Sequence, residues 1–151
     1  MKLSYEIEIE CTPERIWYWL GDPERAKAWQ NNVSETRILQ RTPDMVGTTF
    51  VETIEENGES TDMQGVVTSY IENRSLGMHL NGRYNSVDVD WQIEEAGRRS
   101  RLTVHADVRF KGRIKVASIL MRSAFRENLT IEFEEEFARL KKLCESREEN
   151  S

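Results

Sequence analysis

Residues 113–145 read RIKVASILMRSAFRENLTIEFEEEFARLKKLCE, and neither glycine nor proline occurs from residue 113 to the end of the chain. Ile114, Ala117, Met121, Phe125, Leu129, Phe133, Phe137, Leu140 and Cys144 recur every three or four residues, the period of one helical face. About 30 helical residues span roughly 45 Å, enough to cross a whole small domain. An apolar stripe of that length has to be buried on another layer of structure. The polar tail 146–151 is expected to fray.

The layer it needs lies upstream. In MKLSYEIEIE, Leu3, Tyr5, Ile7 and Ile9 alternate with Ser4, Glu6, Glu8 and Glu10, which predicts a half-buried strand. Thr12-Pro13-Glu14-Arg15 is a helix start: Thr12 suits the N-cap and Pro13 the first helical position. Ile16, Trp17 and Leu20 give that short helix an apolar face, and Gly21 can end it. Asp22-Pro23-Glu24 repeats the signal and predicts a second short helix to about Trp29.

Six strands are then expected, at about 33–39, 48–55, 61–72, 76–80, 84–94 and 101–110. Asn57-Gly58 and Asn81-Gly82 are hairpin turn signals, so the sheet is antiparallel. Val87, Val89, Trp91 and Ile93 share one face of their strand, as do Leu102, Val104, Ala106, Val108 and Phe110 of the next. Asp88, Asp90 and Asp107 fall on the opposite face. The fold class is α+β, with two short helices after strand 1 and a long C-terminal helix packed across seven strands. Residues 1–145 form one domain.

Composition restricts the function classes. The 151 residues are 38% hydrophobic and 32% charged, with a net charge of −6. A nucleic-acid binder usually carries a basic balance, so none is expected here. Four Trp, four Tyr and five Phe supply a core and argue against disorder. Cys11 and Cys144 lack metal-ligand spacing and read as reduced thiols. The N-terminus has no signal-peptide core and no apolar run reaches membrane-helix length, so the expected compartment is cytoplasmic.

At this point the sequence resembles the START-like, or SRPBCC, superfamily. Cys11-Thr12-Pro13-Glu14-Arg15-Ile16-Trp17 is similar to its opening motif. Asp22-Pro23 followed by Trp29 is similar to its second helix, Val46-Gly47-Thr48 to a strand start, and Arg101-Leu102-Thr103 to a late strand. The resemblance implies a helix-grip fold: a curved seven-stranded sheet wrapped around the C-terminal helix, with an elongated apolar cavity between them. It points to the polyketide cyclase/dehydrase and lipid-transport branch, with heat-shock ATPase activator homologues as neighbours. The implied function is binding or transport of a hydrophobic small molecule such as a lipid, quinone or polyketide. The alternatives are a cyclase or dehydratase, with Tyr70, Tyr84 and His105 as residues to inspect, and a protein-interaction module.

On this reading Trp29, Tyr70, Trp91, Met121, Phe125, Leu129 and Phe133 line the cavity, while Trp17 plugs one end of the core. No catalytic constellation is visible: GxSxG, P-loop and GxGxxG motifs are absent. Two His and two distant Cys do not make a metal site, and no cofactor is expected. His105 could pair with Asp88 or Asp90 across a hairpin, and Arg109 with the same acids, but the alternation puts that ladder on the solvated face. His79 is expected to be an exposed or satisfied polar residue. Arg109, Lys111, Arg113, Lys115, Arg122 and Arg126 form a stretch without an acid. It predicts transient contact of Lys111, Arg113 and Lys115 with an anionic head group or membrane surface.

Overall fold

In the computed structural model, residues 1–146 are described, so most of the expected polar tail lies outside the described residues. The alternating N-terminus forms β1 (Lys2–Ile9), and the two Pro-led starts form α1 (Pro13–Leu20) and α2 (Pro23–Ala26). Thr12 accepts a bond from the Arg15 amide and Asp22 one from the Glu24 amide, the two N-caps expected. α2 stops short of Trp29: Lys27 is its C-cap, and turn backbone carries the chain onward.

Six strands follow: β2 (Val33–Gln40), β3 (Thr49–Glu56), β4 (Glu59–Ile71), β5 (Ser75–Asn81), β6 (Asn85–Ala96) and β7 (Arg99–Phe110). They form one antiparallel sheet in the order β1-β7-β6-β5-β4-β3-β2. Asn57 (φ 52°) and Gly58 (φ 75°) make the β3–β4 turn in left-handed backbone, as the dipeptide predicts. β1 pairs with β7, so the α1–α2 segment must cross the sheet to deliver β2 at the far edge. That crossing roofs part of the inner face.

The inner face carries Ile9, Phe50, Val67, Leu76, Val89, Trp91, Ile93, Leu102, Val104 and Ala106, all buried. The other face is a charged ladder. Arg101 pairs with Glu6 at 3.2 Å and Arg99 with Glu10 at 3.2 Å, while Arg109 pairs with Asp88 at 2.8 Å. The low mean hydropathy of −0.66 therefore reflects one solvated sheet face over a buried one.

The C-terminal element differs from expectation. Instead of one continuous helix there are two, α3 (Gly112–Leu120) and α4 (Arg122–Glu145), separated at Met121 with φ −118° and ψ 41°. In α4 only Phe137, Leu140 and Cys144 are buried. Phe137 packs against Tyr5 with ring centroids 5.3 Å apart. From α1, Arg15 donates to the carbonyls of Cys144 (2.6 Å) and Ser146 (2.9 Å), satisfying acceptors a helix end leaves open. The helix is thus anchored at its C-terminal end, and its N-terminal half packs less closely. Both cysteines are free, and the neighbouring Cys144 thiol is the main cause that lowers the pKa of Cys11.

Candidate functional site

Where α1, α2 and the β2–β3 connection cross the sheet, a mostly apolar cavity remains. Leu20, Trp29, Phe50, Tyr70, Leu76 and Trp91 form most of its wall, with Met45 from the β2–β3 connection and Met78 from β5. Its free space is about 50 Å³, room for a few waters. Trp29 is locked in place: its indole N–H donates to the Trp19 carbonyl at 2.9 Å, and Arg139 of α4 donates to the Trp29 carbonyl at 3.0 Å. Phe50 lies across Gly65 of β4, so close that a Cβ there would fall 2.3 Å from the ring. Glycine is required at that point for the strands to accept the aromatic wall.

One end of this cavity is polar. Thr36 and Glu52 face each other in the β2–β3 register, and both are 7% exposed. Gln30, just after α2, lines the same end, and Thr48 adds a buried hydroxyl that accepts a bond from the Thr42 amide. The Thr36 Oγ1 and Gln30 Oε1 atoms are buried without a hydrogen-bond partner. Burial pushes the Glu52 carboxyl up to about 7, against a smaller opposing pull from the Gln30 side chain. Glu136 of α4 accepts a bond from the Asn31 amide at 2.9 Å and is likewise raised to about 7, chiefly by burial. A carboxyl that holds its proton until near neutrality can donate or accept a proton in a dry cavity.

The structure gathers Trp29, Tyr70 and Trp91 in this cavity, whereas Met121, Phe125, Leu129 and Phe133 do not line it. The expected helix wall is displaced because α4 is anchored through Phe137, Leu140 and Cys144, and the chain turns at Met121. Met121 is 57% exposed; Phe125 stacks edge-on with Phe110 at 5.1 Å, Leu129 is half-buried, and Phe133 sits beside Phe137 at 6.5 Å. A wider, open cleft lies under that half of the helix, lined by Ile54, Met63, Tyr84, Phe110, Ile114 and Glu136 among others.

Trp17 is buried and meets Tyr70 edge-on at 5.3 Å, but it does not line the cavity. Tyr84 is exposed and donates to Glu59 at 2.7 Å. His105 is exposed on the outer sheet face, where Nδ1 meets Ser4 Oγ at 2.9 Å. Its register partner Asp90 accepts from Gln92 instead, so Ser4, His105 and Asp90 form no relay. The Asp–His pair that does form joins His79 to Asp88 at 2.7 Å, and this bond is the main cause of the lowered Asp88 pKa. Ser4→Ala and His105→Ala are expected to change stability by less than about 0.5 kcal/mol in urea unfolding. A larger loss in either would assign this ladder a structural role.

Sequence reasoning passed over Gln30, Thr36 and Glu52. A signal was present: Glu52 shares strand parity with Phe50 and Ile54, which makes it an acid at an inward position. Among the described residues no three His, Cys, Asp or Glu side chains converge as a metal site, and no helix is long and apolar enough to cross a membrane.

Similarity to known proteins bears on the same geometry. The profile of the polyketide cyclase/dehydrase and lipid transport family matches residues 1–145. No curated protein matches the chain in sequence. Among solved structures, TTHA0849 from Thermus thermophilus superposes with a TM-score of 0.78 at 14% identity, covering 95% of this chain and 97% of that one. A START superfamily protein from Mycobacterium smegmatis gives 0.66 at 20% identity, covering 91% and 98%. The di-domain ARO/CYC StfQ of the steffimycin biosynthetic pathway gives 0.78 at 11% identity, covering 97% of this chain and 51% of that one. These likenesses show a common helix-grip fold, and with the family profile spanning nearly every residue, the chain belongs to the polyketide cyclase/dehydrase and lipid-transport family.

Proposed function

We propose that the protein binds a small hydrophobic molecule in the cavity walled by Trp29, Tyr70 and Trp91, with its polar end directed at Glu52. The carrying observation is an apolar cavity into which buried, unpartnered oxygens of Thr36 and Gln30 open. A buried polar atom without a partner is costly, and a ligand that supplies the missing bond recovers that cost. Apolar burial supplies the rest, at about 25 cal/mol per Å² before ordering costs.

A ligand larger than a few waters has to widen the cavity. The β2–β3 connection is the element suited to this. Met45 there occupies left-handed backbone (φ 72°) that a non-glycine residue rarely adopts, on a flexible side chain. The test is native mass spectrometry of purified protein, followed by thermal shift with lipids, quinones and aromatic polyketides. A co-purified or stabilising ligand is expected, and its contribution is expected to fall in Trp91→Ala. Absence of any ligand in both measurements sinks the reading. The cyclase or dehydratase alternative loses Tyr84 and His105 as cavity groups and keeps Tyr70.

A second reading, contact with an anionic membrane surface, has its own observation. Val116, Ile119, Leu120 and Met121 are all more than half exposed around the end of α3. Lys111, Arg113, Lys115 and Arg122 flank them along the chain and, among the described residues, form no salt bridge, Lys111 donating instead to Asn81 Oδ1 and the Gly82 carbonyl. Each basic residue near an anionic surface contributes about 1 kcal/mol. Vesicles of phosphatidylcholine containing phosphatidylglycerol are expected to co-sediment the protein. Lys111→Glu, Arg113→Glu and Lys115→Glu together should weaken this at least about a hundredfold. Unchanged binding of the triple variant rules the contact out.

A further inference from the structure

Resting on the cavity reading above, we infer that the ligand end held between Glu52, Thr36 and Gln30 is a primary ammonium, so that the cavity selects hydrophobic amines. What lies unsatisfied at the polar end is the Gln30 carbonyl oxygen, an acceptor, and the Thr36 hydroxyl, which can accept or donate. Thr36 Oγ1 and Gln30 Oε1 are buried and unpartnered, and Glu52, the register partner of Thr36, brings a carboxyl to the same end of the cavity. An ammonium has three donors and no acceptor, whereas a hydroxyl has one donor. Of these two groups only the ammonium can donate to the Gln30, Thr36 and Glu52 oxygens at once.

The surrounding charge favours the same group. Glu52 is faced by Gln30 after α2 and Thr36 of β2, and its field reaches Glu136 of α4. Glu132 and Arg139 of α4 and Glu56 of β3 lie next in line. Arg139 is committed elsewhere: its guanidinium donates to the Trp29 carbonyl and to Asn31 Oδ1. Of these carboxyls only Glu52 lines the cavity; Glu136 is its half-buried neighbour, while Glu132 and Glu56 are exposed along the open cleft under α4. An anionic ligand would add to this repulsion, and a cation relieves it. The wall also supplies three aromatic rings, Trp29, Tyr70 and Trp91, the kind of side chain that attracts a cation.

The experiment titrates the full chain with three probes sharing one ring: 2-phenylethylamine, 2-phenylethanol and phenylacetate, by calorimetry at pH 8. The amine is expected to bind at least about tenfold tighter than the alcohol, and phenylacetate most weakly. The carboxylate form of Glu52 is the one that pairs with the ammonium. Affinity for the amine, which stays protonated throughout, should therefore fall about tenfold between pH 8 and pH 6. Glu52→Gln should abolish the preference for amine over alcohol. Thr36→Val, which keeps volume and removes the hydroxyl, should reduce that preference while keeping cooperative unfolding. Alcohol or phenylacetate binding as tightly as the amine, or a preference that survives Glu52→Gln, overturns the amine assignment and leaves the cavity reading standing. Failure of all three probes to bind also overturns the amine assignment, and the cavity reading is then decided by the mass spectrometry and thermal-shift screen above.

Discussion

Glu52→Gln is expected to stabilise the protein at pH 8 by about 3 kcal/mol, against the usual direction for a change at a buried polar site. The carboxyl is 7% exposed, and burial raises it from 4.5 to about 7, so its charged form is disfavoured in the folded chain by about that amount. The sign follows from proton counts. Between pH 4.5 and 7 the folded chain keeps a proton that the unfolded chain has released, so stability falls as pH rises through this window. Below 4.5 both states are protonated and the penalty is absent; above 7 it is complete. Glutamine is neutral throughout, and its amide offers a donor to the acceptors of Gln30 and Thr36. The gain from Glu52→Gln should thus be present at pH 8 and vanish at pH 4, as read by urea unfolding at both values. A gain that is independent of pH, or a loss at pH 8, refutes the account. Glu136, raised in the same sense, leaves the variant with part of the original pH dependence. If Glu52 holds an ammonium, this penalty is the stability given up to keep a binding group charged in an apolar cavity.

The strands were legible because alternation is a local property. Val89, Trp91 and Ile93 are buried and Asp88 and Asp90 are not, whatever else the fold does. The two N-caps were legible for the same reason. The break at Met121 was not: the three-to-four-residue stripe runs through it, and no glycine or proline marks it. Only tertiary anchoring through Arg15 and Phe137 decides which half of the stripe is buried. The cavity followed the same division. Trp29, Tyr70 and Trp91 could be named from sequence, but Phe50 was missed and Phe125 and Phe133 were misplaced, because the cavity's location depends on where the α1–α2 segment crosses the sheet. Glu52 was readable in principle, as an acid on the inward parity of β3, and it is informative because it breaks the pattern around it.

Phe137→Ala is expected to cost about 3–5 kcal/mol, a large part of the whole stability of a domain of this size. The ring is 1% exposed, packs against Tyr5 of the first strand and Phe133 of its own helix, and joins the buried cluster that includes Leu140 and Cys144. Removing it leaves a void where α4 meets β1, and the Arg15 bonds to the helix end tie the backbone so that it cannot collapse to fill it. Phe125→Ala supplies the contrast. Its ring is half-buried, meets only Phe110 edge-on among aromatic partners, and belongs to the loosely held half of the helix, so a loss of no more than about 1.5 kcal/mol is expected. Urea unfolding of the two variants measures the difference directly. Equal losses would mean that α4 is held evenly along its length and that the open cleft beneath its first turns is closed in solution. A large gap between them locates the grip of the helix at its C-terminal end and leaves the N-terminal half, with the basic and apolar residues of α3, free to move against the sheet.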